Sequence, residues 1–142
     1  LSRIPKRCIL TPHLGELERL IGKCMDTYER LTKVKELAAY LQSYIIVKGA
    51  WTCIVTPEGN YYFNPTGNPG MATGGSGDVL TGILLGLLAQ GYEREDACRL
   101  GVYVHGLAGN LAAEEKTEIG MTASDIIEAL PKAWKTLTTK NS

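Results

Sequence analysis

The sequence has no excess of charge of either sign. Fifteen lysines and arginines stand against fifteen aspartates and glutamates. That balance leaves no broad electrostatic footprint for nucleic acid or an anionic membrane, so any anion must be held locally. Clustered cysteines are also missing. Cys8, Cys24, Cys53 and Cys98 lie far apart with no CxxC pair, and only His13 and His105 could assist them. No metal-ligand spacing results, and scattered thiols of this kind read as reduced cysteines of an intracellular protein. A charged-then-apolar leader is absent from the start of the chain, which argues against secretion. The most apolar run, 79–89, falls well short of the roughly 20 residues that a membrane helix needs. The expectation is a cytoplasmic protein with neither nucleic acid nor membrane as partner.

What is present is an ordinary globular balance, 44% apolar and 21% charged over 142 residues, enough for one domain with its own core. Residues 8–12 (CILTP) read as a short buried strand stopped by Pro12. Leu14, Leu17, Leu20 and Ile21 then recur at helical spacing, and Gly22 fits a C-terminal cap. Thr27 is placed to cap a second helix over 27–43, whose stripe is Leu31, Val34, Leu37, Ala38 and Leu41. At 44–49 (YIIVKG) the period changes to that of a fully buried strand. The segments 51–57 and 60–65 flank Glu58-Gly59, a hairpin signal. Helices are expected at about 77–90, 94–115 and 123–138. The last opens on a capping box from Thr122 to Asp125 and contains Pro131, which either kinks or splits it.

Strands alternating with helices, plus one hairpin, predict a single α/β domain over 1–142 with a mixed sheet. About three strands are available, below the usual four to six. The domain therefore reads as part of a larger fold.

The segment 67–91 (GNPGMATGGSGDVLTGILLGLLAQG) carries the chemistry. It fails the Walker pattern, because no lysine follows the glycines, and fails GxGxxG, because Leu80 stands where the third glycine belongs. It keeps the physical logic that those motifs share. Glycines let successive amides turn toward one point, and a helix starting there adds bare N–H groups and its positive end. Asp78 closes the loop. A carboxylate there can simply serve the helix start, or it can take a proton from a hydroxyl while the amides neutralise a phosphoryl group.

Three segments in order, 11-TPHLGE-16, 48-KGAWT-52 and 68-NPGMATGGSGDVLTG-82, resemble the ribokinase-like superfamily in its ADP- or ATP-dependent NAD(P)H-hydrate dehydratase branch. Leu14 replaces the proline usual in the first of these. The resemblance runs from Arg7 to Leu137 and implies a ribokinase-like three-layer α/β sandwich, of which this chain is the C-terminal part. It implies that Asp78 is the base acting on the hydroxyl of hydrated NAD(P)H, and that the amides of Gly74, Gly75, Ser76 and Gly77 form an anion hole, with Gly77 also touching the nucleotide. Lys48, Gly49, Ala50, Trp51 and Thr52 would line the adenylate pocket, His13 would touch the hydrated dinucleotide, and Glu16 would approach Mg2+ through water. The implied reaction uses ADP or ATP to phosphorylate the hydroxyl, after which phosphate is lost and NADH or NADPH returns. A homo-oligomer is expected.

Simpler readings stand beside these. His13 can bond a loop, Lys48 can snorkel from a strand end, and Glu16 can serve a helix dipole. Trp51 and Tyr61-Tyr62-Phe63 read as core and hairpin packing, and His105 as a satisfied core histidine. The alternative functions are a sugar or vitamin-precursor kinase of the same superfamily, or a nucleotide-binding module without catalysis.

Overall fold

The computed structural model describes residues 7–49 and 51–140, with the side chains of 139 and 140 left aside. The chain divides into two compact units, residues 1–64 with 93–99, and residues 65–92 with 100–142.

The first unit holds the sheet. Strands β1 (Ile9–Leu10), β2 (Tyr44–Val47), β3 (Cys53–Val55) and β4 (Tyr61–Phe63) lie in the order β1-β2-β3-β4. The β1–β2 pair is parallel and the other two pairs are antiparallel, which is the mixed sheet expected. The sheet has four strands rather than about three. β1 is also shorter and less buried than 8–12 suggested, because it pairs with β2 over only two residues and its side chains are half-buried.

Helices α1 (Leu14–Ile21) and α2 (Thr27–Leu41) carry the chain between β1 and β2. Leu17, Val34, Leu37, Ala38 and Leu41 pack with Ile45, Val47, Cys53 and Val55 into one core. Ile46 points to the opposite sheet face, as strand alternation demands, and is also fully buried. β2 is therefore covered on both faces, which explains its unbroken apolar run.

The caps refine the sequence reading. Gly22 ends α1 at φ 83° as expected. The N-cap of α2 is Asp26, whose carboxylate accepts from the Glu29 amide at 2.8 Å. Thr27, expected there, is instead the first helical residue. A free carboxylate one residue earlier outcompetes the threonine hydroxyl for the same role. The β3–β4 hairpin turns at Gly59, where φ is 90°, and the Thr56 hydroxyl accepts from the Asn60 amide at 3.0 Å. Trp51 and Phe63 are 66% and 58% exposed, so neither is the packing residue that its bulk suggested. Trp51 lies two residues before β3, and Phe63 is the last residue of β4.

The second unit is helical. α3 (Ser76–Ala89) packs with α5 (Ala123–Lys140), and the C-terminal part of α4 (Arg94–Lys116) joins them. Val104, Ala108 and Ala112 of α4 meet Met121, Ile126 and Ala133 in this unit's core. The expected capping box opens α5: the Thr122 hydroxyl accepts from the Asp125 amide at 3.3 Å, and the Asp125 carboxylate accepts from the Thr122 amide at 2.8 Å. Pro131 does not split α5, which runs on through it. The carbonyl that Pro131 leaves unpaired belongs to exposed Ile127, where water can replace the lost bond. None of the described helices is long and apolar enough to cross a membrane.

Candidate functional site

The glycine loop enters α3 by way of Gly75, which sits at φ 89° and forms the N-cap without any side-chain hydrogen bond. That left-handed backbone suits glycine and strains other residues. The Ser76 amide turns back to the Thr73 carbonyl at 3.2 Å, and the first helical bond runs from the Val79 amide to the Gly75 carbonyl at 3.1 Å. Among the described residues, the amides of Gly74, Gly75, Gly77 and Asp78 donate to no protein acceptor. Of the four residues expected to form an anion hole, Ser76 therefore has its amide engaged, while its three glycine neighbours keep theirs bare.

Asp78 is the third residue of α3. Its side chain is exposed and makes no hydrogen bond or ion pair among the described residues. Its charge is favoured by the helix end through the dipole alone. A cluster of bare amides with a free carboxylate one residue away can hold an anion and accept a proton beside it.

The loop is fastened along one face of α4. The Thr66 hydroxyl donates to the Tyr103 carbonyl at 2.9 Å. Asn68 accepts from the Gly70 amide at 3.0 Å and donates its own side-chain amide to Asn110 Oδ1 at 3.0 Å. His105 Nε2 lies 3.0 Å from the Ser76 carbonyl oxygen and 3.3 Å from Ser76 Oγ. The two glycines on this face make room for the loop: a Cβ at Gly106 would collide with Thr66, and one at Gly109 with Met71. His105 is thus satisfied, as the sequence suggested, but half-buried and bonded to the loop rather than enclosed in the core. Gly106, Gly109 and Asn110 were not singled out from the sequence. Two glycines three apart inside a helix were the available signal, since they weaken a helix unless something approaches closely.

In the first unit, His13 and Glu16 form a reciprocal cap on α1. His13 Nδ1 accepts from the Glu16 amide at 3.2 Å, and Glu16 Oε1 accepts from the His13 amide at 3.0 Å. With Nδ1 accepting, the neutral imidazole carries its proton on Nε2, which faces Glu16 Oε1 at 3.3 Å. Lys48 and Gly49 are exposed just beyond β2, and a Cβ at Gly49 would meet nothing within 4 Å. Trp51 is exposed and Thr52 half-buried, its carbonyl accepting from the Asn64 amide at 2.8 Å. Ala50 lies outside the described residues.

No group of three His, Cys, Asp or Glu side chains among the described residues could hold a metal ion. Burial pushes the Cys53 thiol up to about 11 and the Cys98 thiol up to about 12, so both stay protonated near neutral pH and are poor ligands.

Residues 1–132 match the family model described as NAD(P)H-hydrate dehydratase. The chain is 49% identical over 131 residues to the bifunctional NAD(P)H-hydrate repair enzyme Nnr of Thermofilum pendens, covering 91% of this chain and 25% of the relative. It is 40% identical over 136 residues to the ADP-dependent (S)-NAD(P)H-hydrate dehydratase of Bacillus subtilis, covering 92% of this chain and 49% of that one. A crystal structure of the ADP/ATP-dependent NAD(P)H-hydrate dehydratase from Bacillus subtilis, co-crystallised with ATP/Mg2+, superposes with a TM-score of 0.83 at 38% identity. That match covers 94% of this chain and 50% of the other. A ribokinase-like superfamily protein from Enterococcus faecalis gives a TM-score of 0.76 at 35% identity, over 94% of this chain and 46% of the other. The chain thus spans a quarter to a half of the length of these relatives.

Proposed function

Because the chain belongs to the NAD(P)H-hydrate dehydratase family, with a ribokinase-like fold, we propose that it supplies the phosphoryl-transfer side of an ADP- or ATP-dependent dehydration of hydrated NADH and NADPH. We read residues 1–142 as one portion of a single ribokinase-like domain. The observation that carries the proposal is the start of α3: bare amides at Gly74, Gly75 and Gly77 beside the unpartnered carboxylate of Asp78.

In this reading the loop amides bind the phosphoryl oxygens and offset the charge that builds on them in transfer. Asp78 accepts the proton of the substrate hydroxyl as its oxygen bonds to the terminal phosphorus of ADP or ATP, and the phosphoanhydride bond breaks with its electron pair leaving on AMP or ADP. The carbon–oxygen bond then breaks with its electron pair leaving on phosphate, a proton is lost from the neighbouring carbon, and the dihydronicotinamide ring is restored. Phosphorylation is chemically useful because hydroxide leaves poorly and phosphate leaves well.

Lys48, Gly49, Ala50, Trp51 and Thr52 are assigned to the nucleotide, and the open space at Gly49 suits close approach of a ligand. His13 is assigned to the hydrated dinucleotide. A Mg2+ ion would arrive on the nucleotide phosphates, since no group of three His, Cys, Asp or Glu side chains among the described residues could hold one alone. Such an ion would neutralise phosphate charge; Glu16 would hold one of its waters.

The test is to supply hydrated NADH with ADP or with ATP and follow the return of nicotinamide absorbance. Recovery that depends on a nucleotide is the expected result. No recovery with either nucleotide, together with phosphorylation of a sugar or vitamin-precursor alcohol, would replace this reading with that of a small-molecule kinase. Nucleotide binding without any turnover would leave only a binding module.

A further inference from the structure

We infer that His105 is a positioning residue, the part of α4 that fixes where the bare amides of the glycine loop point. The inference rests on the proposed phosphoryl-transfer role of that loop, and it concerns a side chain that packs beneath the loop without being needed to touch a ligand.

Ser76 opens α3 with its amide donated to the Thr73 carbonyl at 3.2 Å. Gly75 contributes no side chain, and α3 begins without a side-chain cap. The backbone entering the helix is held by main-chain bonds from Ser76 to Thr73 and from Val79 to Gly75, around glycines, the residues with the most conformational freedom. His105 adds a side-chain bond to this joint. Its Nε2 lies 3.0 Å from the Ser76 carbonyl oxygen, which can only accept, so the ring must donate there and carry a proton on Nε2. The same nitrogen lies 3.3 Å from Ser76 Oγ. The Ser76 carbonyl belongs to the peptide unit whose N–H is that of Gly77, one of the bare amides. Fixing this carbonyl fixes the plane of the peptide, and with it the direction of the Gly77 N–H.

The rest of the α4 face makes the mount rigid. Asn110 holds the far end of the loop through Asn68 at 3.0 Å, and Gly106 and Gly109 let Thr66 and Met71 settle against the helix backbone. The loop is pinned at both ends to one helix. The His105 bond reaches the end that carries the amides.

Two substitutions separate the hydrogen bond from mere filling of space. In His105→Gln the side-chain amide nitrogen can occupy roughly the place of Nε2 and still donate; His105→Leu keeps bulk and loses the donor. The expected result for Leu is a fall in kcat of about 10²-fold, the scale of a misplacement near 1 Å, with KM for nucleotide rising no more than about tenfold. Gln should recover kcat to within a few-fold of the unaltered protein. Equal kcat in the two variants overturns the inference.

A second readout needs no turnover. On titration with ADP, backbone amide NMR signals of Gly75, Gly77 and Asp78 should shift in the unaltered protein and in His105→Gln, and respond at about tenfold higher ADP in His105→Leu. An identical response in the Leu variant also overturns it. If hydrated NADH is not repaired at all but this pattern of amide shifts holds, the proposed reaction fails and the role of His105 stands.

Discussion

At Asp78 the carboxylate is exposed and bonded to nothing within the described protein, so its replacement separates chemistry from folding. Asp78→Asn keeps size and loses the base. Helix-end electrostatics at this position are worth about 0.3–1 kcal/mol, so thermal denaturation should reveal only a small loss of stability. The rate of nicotinamide recovery should fall by about 10²–10⁴-fold. Equal rates in the two proteins would remove Asp78 from the role of base. The acid was visible in the sequence because it ends a glycine run. His105 was visible only as a histidine on an apolar helix face. Its contact with Ser76 joins residues 29 positions apart, and no local pattern encodes such a contact.

At the scale of elements, local signals served well wherever the deciding partner was close in sequence. The Thr122–Asp125 box, the Gly22 cap and the Glu58-Gly59 turn depend on neighbours within four residues, and each formed. Where two candidates competed locally, the ranking mattered, as with Asp26 and Thr27. Glycines inside helices could not be sorted from sequence, because their meaning depends on what lies opposite. A Cβ at Gly86 of α3 would meet nothing within 4 Å, whereas one at Gly106 of α4 would strike the backbone and side chain of Thr66. Alanine in a helix gains about 0.8–1 kcal/mol over glycine, but overpacking costs about 1–3 kcal/mol. Gly86→Ala should therefore raise the melting temperature, and Gly106→Ala should lower it despite the better propensity. Opposite shifts by circular dichroism are the expected outcome, and a gain at both positions would mean that the loop is not pressed against α4.

For the molecule as a whole, the alternation of strands and helices announced an α/β fold, and three short motifs in order pointed to its family. The count of about three strands fell short of the four in the sheet, although 8–12, 44–49, 51–57 and 60–65 each carry a strand or hairpin signal. Stability should carry a global mark of the buried thiols. Burial is the main reason that Cys53 rises to about 11 and Cys98 to about 12, from an ordinary value of 9.0. The folded protein then holds protons that the unfolded chain releases. Their contribution is complete below about pH 9 and fades as pH climbs toward 11 and 12. The melting temperature should fall over that window, and Cys98→Ala should shallow the slope. An unchanged slope in that variant would rule the thiol out as a source.

The reciprocal cap between His13 and Glu16 has a consequence for recognition. The imidazole that the family resemblance assigns to the dinucleotide is already occupied at Nδ1 by the first turn of α1. Any ligand that draws the ring away gives up a cap worth about 0.5–2 kcal/mol. Capture and fraying become two faces of one equilibrium: what seizes His13 loosens α1, and what loosens α1 eases the seizure. Hydrogen exchange at the Glu16 amide would then register an arriving ligand before any bond in it is made or broken.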